Sequence, residues 1–178
     1  MMLRMTAKAL SLVGRDRITL TSVPAGDDDW YLNLLWIDRR KCLLITHATT
    51  LFTVFAANVR ASEIRPIGRY VGSLVRAALR AEALPGHCLG LLDPDRVSIG
   101  KTASRQVLAF MNDIAREARF YVADAGGLSR CDIPRLNCRL RRGLHDRGGY
   151  ASPMDLVAER LGRTDGGSRP EADRRAEA

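Results

Sequence analysis

The sequence predicts an α+β domain: a small, mainly antiparallel sheet, centred on one hairpin, packed against two long helices. Three observations support this prediction. Residues 30–46 contain two apolar, aromatic-rich runs on either side of the polar stretch Asp38–Lys41, which has the length of a hairpin loop. Residues 62–84 repeat apolar side chains at helical spacing, and so do residues 104–125.

The hairpin is predicted to be covered on both faces, or on one face with an aromatic rim. Side chains alternate across a strand, so the first run presents two sets of residues to opposite sides. Both sets are mostly apolar: Trp30, Leu32, Leu34 and Trp36 on one face, and Tyr31, Asn33, Leu35 and Ile37 on the other.

The two long helices carry recognisable end signals. Ser62 is a candidate cap for the first helix, where Pro66 is tolerated only in the first turn. Ser104 is the candidate cap of the second helix, and the pair Gly126–Gly127 ends it.

The remaining segments are shorter. Residues 1–161 are predicted to form one domain and residues 162–178 a disordered tail, because that tail is polar and rich in Gly, Arg, Glu and Asp. We expect a strand and a helical turn in 2–13, a strand in 17–23, a short helix in 49–57, a short strand in 96–100 and a last helix in 153–161.

The chain is basic. It has 178 residues and a formal net charge of +8, and three of its 28 basic residues are lysines, so the other 25 are arginines. This excess has two interpretations. It reflects a GC-rich genome and a solvated surface, or it serves an anionic partner, because the guanidinium fork suits phosphate and carboxylate.

Four cysteines without a Cys-x-x-Cys pair predict a reducing, cytoplasmic location. The equal spacing of Cys131, Cys138 and His145 resembles a zinc ligand set only loosely, because structural zinc sites start from closer cysteine pairs. We therefore expect no metal and no other cofactor. The uncharged stretch 42–59 is short and rich in threonine, so we expect no membrane partner.

The tripeptide Gly100-Lys101-Thr102 is similar to the end of a phosphate-binding P-loop. That loop requires a glycine five positions before Gly100, where this chain has Asp95, an acid that repels phosphate. A weaker hypothesis remains, in which Lys101, Ser104 and Arg105 bind an anion at the start of the helix that follows.

Two other groups of cations are candidate nucleic-acid contacts. Arg39, Arg40 and Lys41 lie at the predicted hairpin tip. Residues 128–147 are basic and poor in aromatics, which favours contact with a duplex backbone over stacking on single strands; Arg139, Arg141 and Arg142 are the candidates there. For both groups the alternative is a solvated surface.

No catalytic residue is assigned. Asp113 and Glu117 lie one helical turn apart, but with Arg116 between them they indicate an exposed charged face. The chain also lacks the Gly-x-Ser-x-Gly turn of a serine nucleophile.

Two blocks resemble a bacterial family of unknown function. Residues 28–52, DDWYLNLLWIDRRKCLLITHATTLF, match its W-Y-x-N-L-L-W-x-D-R-R-K-C-L-L hairpin, and residues 101–113, KTASRQVLAFMND, match its S-R-x-V-L-x-x-M-N-D helix start. Thr6-Ala7-Lys8 fits a T-x-K element near the start of such proteins. The resemblance covers residues 2–125 and extends to about 160. It implies a bacterial, cytoplasmic, single-domain protein, and no activity, cofactor or residue role is carried over from it.

Two classes of function follow from the sequence. The first is a non-enzymatic binding or regulatory module whose partner is a nucleic acid or another protein. The second is a small enzyme acting on a phosphate-bearing ligand, with Lys101, Arg105, Asn112 and Asp113 near one helix start.

Overall fold

The structure is a computed structural model that describes residues 1–14, 19–146 and 150–166. The secondary-structure elements are, in chain order, β1 (Met2–Met5), α1 (Ala7–Val13), β2 (Trp30–Ile37), β3 (Arg40–His47), β4 (Thr53–Ala56), α2 (Ile67–Ala81), β5 (Ser98–Lys101), α3 (Arg105–Asp124), α4 (Ile133–Arg142), β6 (His145–Asp146), β7 (Tyr150–Ala151) and α5 (Pro153–Gly166).

The main sheet has five strands in the order β4-β3-β2-β1-β5. The pairs β2–β3 and β3–β4 are antiparallel, but β1 is parallel to both β2 and β5. The α+β class is confirmed, and the prediction of a mainly antiparallel sheet is wrong. Parallel pairing requires a crossover connection, and long segments of chain separate β1 from both β2 and β5.

The two faces of the hairpin lie in two separate cores, as its alternation predicts. Trp30, Leu32 and Leu34 pack with α1 and α2 on one side. Tyr31, Leu35 and Ile37 pack with α3 and α4 on the other. Trp36 is the exception, with 54% of its surface exposed, so one aromatic ring of this otherwise buried strand faces solvent.

The hairpin turn is shorter than expected. It consists of Asp38 and Arg39 alone, both with positive φ (48° and 59°), while Arg40 and Lys41 already belong to β3 and pair with Ile37 and Trp36. Two residues of positive φ give the turn that matches the twist of the flanking strands. Asp38 also accepts a hydrogen bond from the Leu128 backbone N–H (2.6 Å), so the tip is held against the end of α3.

Two short segments differ from their predictions. The stretch 49–57 contains strand β4, fully buried, and not a helix; a short apolar run cannot be assigned by periodicity alone. Of the strand predicted over 17–23, residues 17–18 lie outside the described residues, and the rest contributes a single bridge between Leu20 and Ile99.

The long helices α2 and α3 are confirmed. Helix α2 begins at Ile67, after Pro66, so Ser62 is not its cap. Ser104 caps α3 by accepting the Val107 N–H (3.3 Å). A Cβ on Gly68 would lie 2.6 Å from the Pro94 carbonyl oxygen, which explains a glycine there by close packing.

Helix α4 has no counterpart among the predicted elements, and it covers the edge of β4. The Asn137 side chain accepts the Phe55 N–H (2.7 Å) and donates to the Phe55 carbonyl (2.9 Å). These bonds replace a neighbouring strand at an edge that otherwise promotes aggregation.

Helix α5 begins at Pro153, as predicted, and continues past residue 161 to Gly166. The remainder of the predicted tail, residues 167–178, lies outside the described residues. Within the part of the chain that the structure describes, no helix combines the length and the apolar composition needed to cross a bilayer.

Candidate functional site: a cleft beside the hairpin

The candidate cations of the basic stretch lie on α4, where each contacts a carboxylate. Arg139 Nε lies 2.9 Å from Glu117 Oε1. Arg141 is buried, with its side chain 4% exposed, and both Arg141 and Arg142 bind the Glu82 carboxylate, at 2.7 Å and 2.5 Å. Arg141 therefore joins α4 to the end of α2 in the interior and is not a surface contact.

The Glu82 carboxylate is held in its charged form. Burial alone would raise the pKa of this group, but hydrogen bonds from Arg142 and Arg141 outweigh burial and keep its pKa below the ordinary value. A buried charge is tolerated in a protein when it is paired in this way.

The start of α3 does not form a phosphate loop. Gly100 and Lys101 belong to β5 and pair with Arg4 and Met5 of β1. Lys101 and Arg105 are exposed, and the Ser104 hydroxyl oxygen already accepts the Val107 N–H.

A polar cleft lies instead beside β2, beyond the end of β1. Register pairs between β1 and β2 stop at Leu32, and the Thr6 N–H donates to the Leu32 carbonyl (3.0 Å) where α1 turns away. From Asn33 onward no strand of the described residues pairs with this side of β2. Because backbone groups alternate along a strand, those of Leu34 and Trp36 face this open side.

This opening, which we call the β2 cleft, has a volume of about 420 Å³, a size typical of small-ligand sites. Its lining joins α1, β2 and α3 and includes three cations, two amides and the exposed indole, but no acid. The lining residues are Lys8, Asn33, Leu34, Leu35, Trp36, Asn112, Ala115, Arg116 and Arg119.

Thr6 fixes the orientation of one of these amides. Its hydroxyl oxygen caps α1 by accepting the Ala9 N–H (3.3 Å), and its hydrogen is donated to Asn33 Oδ1 (3.1 Å). The carbonyl end of the Asn33 amide is thus engaged, and its NH₂ group remains as a donor.

A second cationic depression lies on the other side of the hairpin turn. This Asn58 cleft has a volume of about 480 Å³ and is lined by Arg40, Lys41, Asn58, Val59 and Arg60. Arg40 donates to Asn58 Oδ1 (3.2 Å), and Lys41 Nζ lies 5.6 Å from the centroid of the Trp36 ring. The Trp36–Lys41 contact therefore connects the two clefts.

We use the name Trp36 surface for the Trp36 indole together with cations that line either cleft. It is formed by Lys8, Trp36, Arg40, Lys41, Arg60 and Arg119. Among the described residues, no carboxylate lies within 4 Å of Lys8, Arg40, Lys41 or Arg119. Arg60 has a distant partner in Glu63, at 3.8 Å. The surface offers positive charge and one aromatic face.

Sequence reasoning identified part of this surface. The hairpin cations Arg40 and Lys41 were candidates, and Arg39 is an exposed turn residue beside them. Lys8, Trp36 and Arg119 were missed as site residues. Lys8 ends the T-x-K element and Trp36 belongs to the hairpin block, but Arg119 lies in neither family block, and nothing in one sequence brings the three residues together.

The residues suggested for an enzyme do not converge. Asn112 lines the β2 cleft, whereas Asp113 lines a separate groove of about 730 Å³ on the other side of Arg116, next to the exposed ring of Phe120. Asp113 is also bound to Arg116 at 2.7 Å. Lys101 and Arg105 belong to the lining of neither space.

One histidine is buried at the opposite end of the hairpin. The Thr50 N–H donates to His47 Nδ1 (3.3 Å), so the ring proton of the neutral imidazole lies on Nε2, 3.7 Å from Asp28 Oδ1. Burial, reinforced by Arg160, lowers the pKa of His47 to about 4. The imidazole is therefore neutral at pH 7, and its contact with Asp28 is not an ion pair.

No group of three or more His, Cys, Asp or Glu side chains is placed to hold a metal ion in the described ranges. Cys131 and Cys138 are free thiols, and the side chain of His145 lies outside the described residues.

The fold and the cleft together define a small α+β domain with a donor-lined opening at an interrupted sheet. The chain belongs to the family described as Domain of unknown function (DUF6933), which matches residues 2–156. This confirms the resemblance to a family of unknown function. No curated protein matches the chain.

Proposed function

We propose that the protein is a non-enzymatic module that binds single-stranded nucleic acid through the Trp36 surface. The observation that carries this proposal is the exposed indole of Trp36, placed between two clefts that are lined by cations and by no acid. Single-strand binding proteins combine these two elements, a positive groove for the phosphates and an aromatic ring on which a base stacks.

The indole is costly to expose in this position. Tryptophan is usually largely buried, and every other apolar side chain of β2 is buried here. Lys41 Nζ lies over one face of the ring from the neighbouring strand, so a base stacked on the opposite face would lie close to a cation. A function in binding accounts for both features.

A protein partner is the rival within this class, because the open side of β2 could pair with an extended peptide. The cations favour nucleic acid, since a peptide strand needs no positive charge for backbone pairing. The enzyme alternative lacks a comparable observation, because its suggested residues line different spaces.

We also propose a bacterial cytoplasmic protein with one domain over residues 1–161. All four cysteines are free thiols, which suits a reducing compartment. The bacterial origin rests on the resemblance alone.

The proposal is tested by the anisotropy of a labelled oligonucleotide at several salt concentrations. The double variant Lys8→Ala with Arg119→Ala should bind more weakly, and the slope of log affinity against log salt should fall by roughly 1.4, since each phosphate contact on a single strand contributes about 0.7. The matched control is Lys101→Ala with Arg105→Ala, which removes the same charge from the start of α3.

The control should retain the affinity and slope of the parent protein. An equal loss in both double variants would show that binding follows the overall positive charge and not the Trp36 surface, which contradicts the proposal. So would the absence of oligonucleotide binding at low salt.

A further inference from the structure

Most of the polar side chains that line the β2 cleft are hydrogen-bond donors. Lys8, Arg116 and Arg119 carry only donors, and the Asn33 amide presents its NH₂ group because Thr6 engages its oxygen. Such a lining matches a ligand group that consists of acceptor oxygens, as a phosphate does.

The charge of the cleft exceeds that of one internal phosphate. Lys8 and Arg119 have no carboxylate within 4 Å among the described residues, while Asp113 offsets the charge of Arg116. About two positive charges thus remain. An internal phosphodiester carries one negative charge, but a phosphate monoester carries about −1.5 to −2 at pH 7.

One end of the cleft lies at the junction of α1 and β2. The Thr6–Asn33 hydrogen bond joins the start of α1 to β2 there (3.1 Å), and α3 forms one wall through Ala115 and Arg119. The opposite end opens at Trp36. A strand whose base stacks on the indole can place its end in the cleft, whereas a continuing strand would have to pass the junction of α1 and β2.

We propose that the β2 cleft binds the terminal phosphate monoester of a single strand, with Lys8 and Arg119 as its principal contacts. The inference rests on the proposed function and adds a preference for one kind of strand end. The same chemistry occurs at a 5′ or a 3′ phosphate, so the experiment has to separate them.

Three unlabelled oligonucleotides of one sequence, with a 5′ phosphate, a 3′ phosphate or two hydroxyl ends, compete with a labelled strand in anisotropy. One phosphorylated form should bind about tenfold more tightly than the hydroxyl form, as expected when charge-assisted hydrogen bonds are gained. Lys8→Ala and Arg119→Ala should each reduce this ratio to about twofold or less, Lys8→Arg should restore most of it, and Arg105→Ala should leave it unchanged.

Equal affinity for all three strands would overturn the inference and leave the proposed function intact. A preference for the phosphorylated strand that persists in both Lys8→Ala and Arg119→Ala would also overturn it, because the phosphate would then bind elsewhere. If no strand binds but an acidic peptide does, both proposals fail. Lys8 and Arg119 are both exposed, so their replacement should leave the thermal unfolding midpoint unchanged. This measurement checks that each variant is folded.

Discussion

At the scale of single residues, the charges of this protein fall into two groups with different tasks. Arg4 and Arg141 are buried and bound to Asp29 and Glu82, at 2.8 Å and 2.7 Å. Lys8 and Arg119 are exposed and have no carboxylate within 4 Å among the described residues. The first group holds segments of the chain together, and the second remains available to a ligand.

His47 makes stability depend on pH. The unfolded chain binds a proton as the pH falls through about 6.5, but the folded protein does so only near pH 4. Protons therefore favour the unfolded chain in this window, and the stabilisation present above pH 6.5 is lost as the pH falls toward 4. The loss should be on the order of 3 kcal/mol.

Urea unfolding between pH 4 and 7.5 measures this effect. The difference in unfolding free energy between the parent protein and His47→Gln should narrow as the pH falls, because the variant lacks the titrating group. Parallel pH profiles for the two proteins would show that His47 is not responsible. Asp28, Asp29 and Arg160, which influence the imidazole, are unchanged in both.

At the scale of elements, α4 explains how the sheet ends. Asn137 satisfies both backbone groups of Phe55, and Arg141 donates to the Thr53 carbonyl (3.3 Å). At the other edge, the Thr21 N–H donates to the Ile99 carbonyl (2.7 Å). Helix α4 thus covers the β4 edge and one hydrogen bond meets the β5 edge, while the interrupted side of β2 has no strand partner among the described residues.

Asn137→Ala should destabilise the protein by about 1–3 kcal/mol, because it leaves the buried N–H and C=O of Phe55 without partners. The amide hydrogen of Phe55 should also exchange faster than in the parent protein. Arg135→Ala, on the exposed side of the same helix, should change stability by less than about 0.5 kcal/mol. Similar losses in the two variants would refute the capping of β4 by α4.

The elements that could be predicted are those with a long, regular pattern. The alternation in β2 and the apolar stripe of α3 each identify an element and its buried side. Helix α4 was missed because the segment around it contains six arginines and was interpreted from its charge. Two helical signals are nevertheless present, the Asp132 cap and the Leu136–Leu140 pair. Strand β4 was misassigned because a run of four buried residues is too short for its periodicity to distinguish a strand from a helix.

At the scale of the whole molecule, the position and the length of β1 account for both the parallel half of the sheet and the β2 cleft. Strand β1 is short, so it pairs with β2 only as far as Leu32 and leaves the β2 cleft beyond it. A single sequence does not reveal that β1 lies between β2 and β5. For the same reason it could not place Lys8, from the first helix, beside Trp36 and Arg119.

The net charge of +8 is not exposed simply where the sequence is most basic. Glu117 and Glu82 offset two of the three charges of Arg139, Arg141 and Arg142, although the segment that holds these arginines is the most basic in the sequence. The cations of the Trp36 surface have few such partners. Local pairing, rather than segment composition, decides where an anionic partner is attracted.

Tryptophan fluorescence can detect the stacking of a nucleobase on Trp36. The chain has two tryptophans; Trp30 is 1% exposed and serves as an internal reference, while Trp36 is 54% exposed. Titration with a single-stranded oligonucleotide should quench the emission of the parent protein to saturation and leave the emission of Trp36→Phe unchanged. Equal quenching in both proteins, or binding without quenching in the parent, would contradict the account.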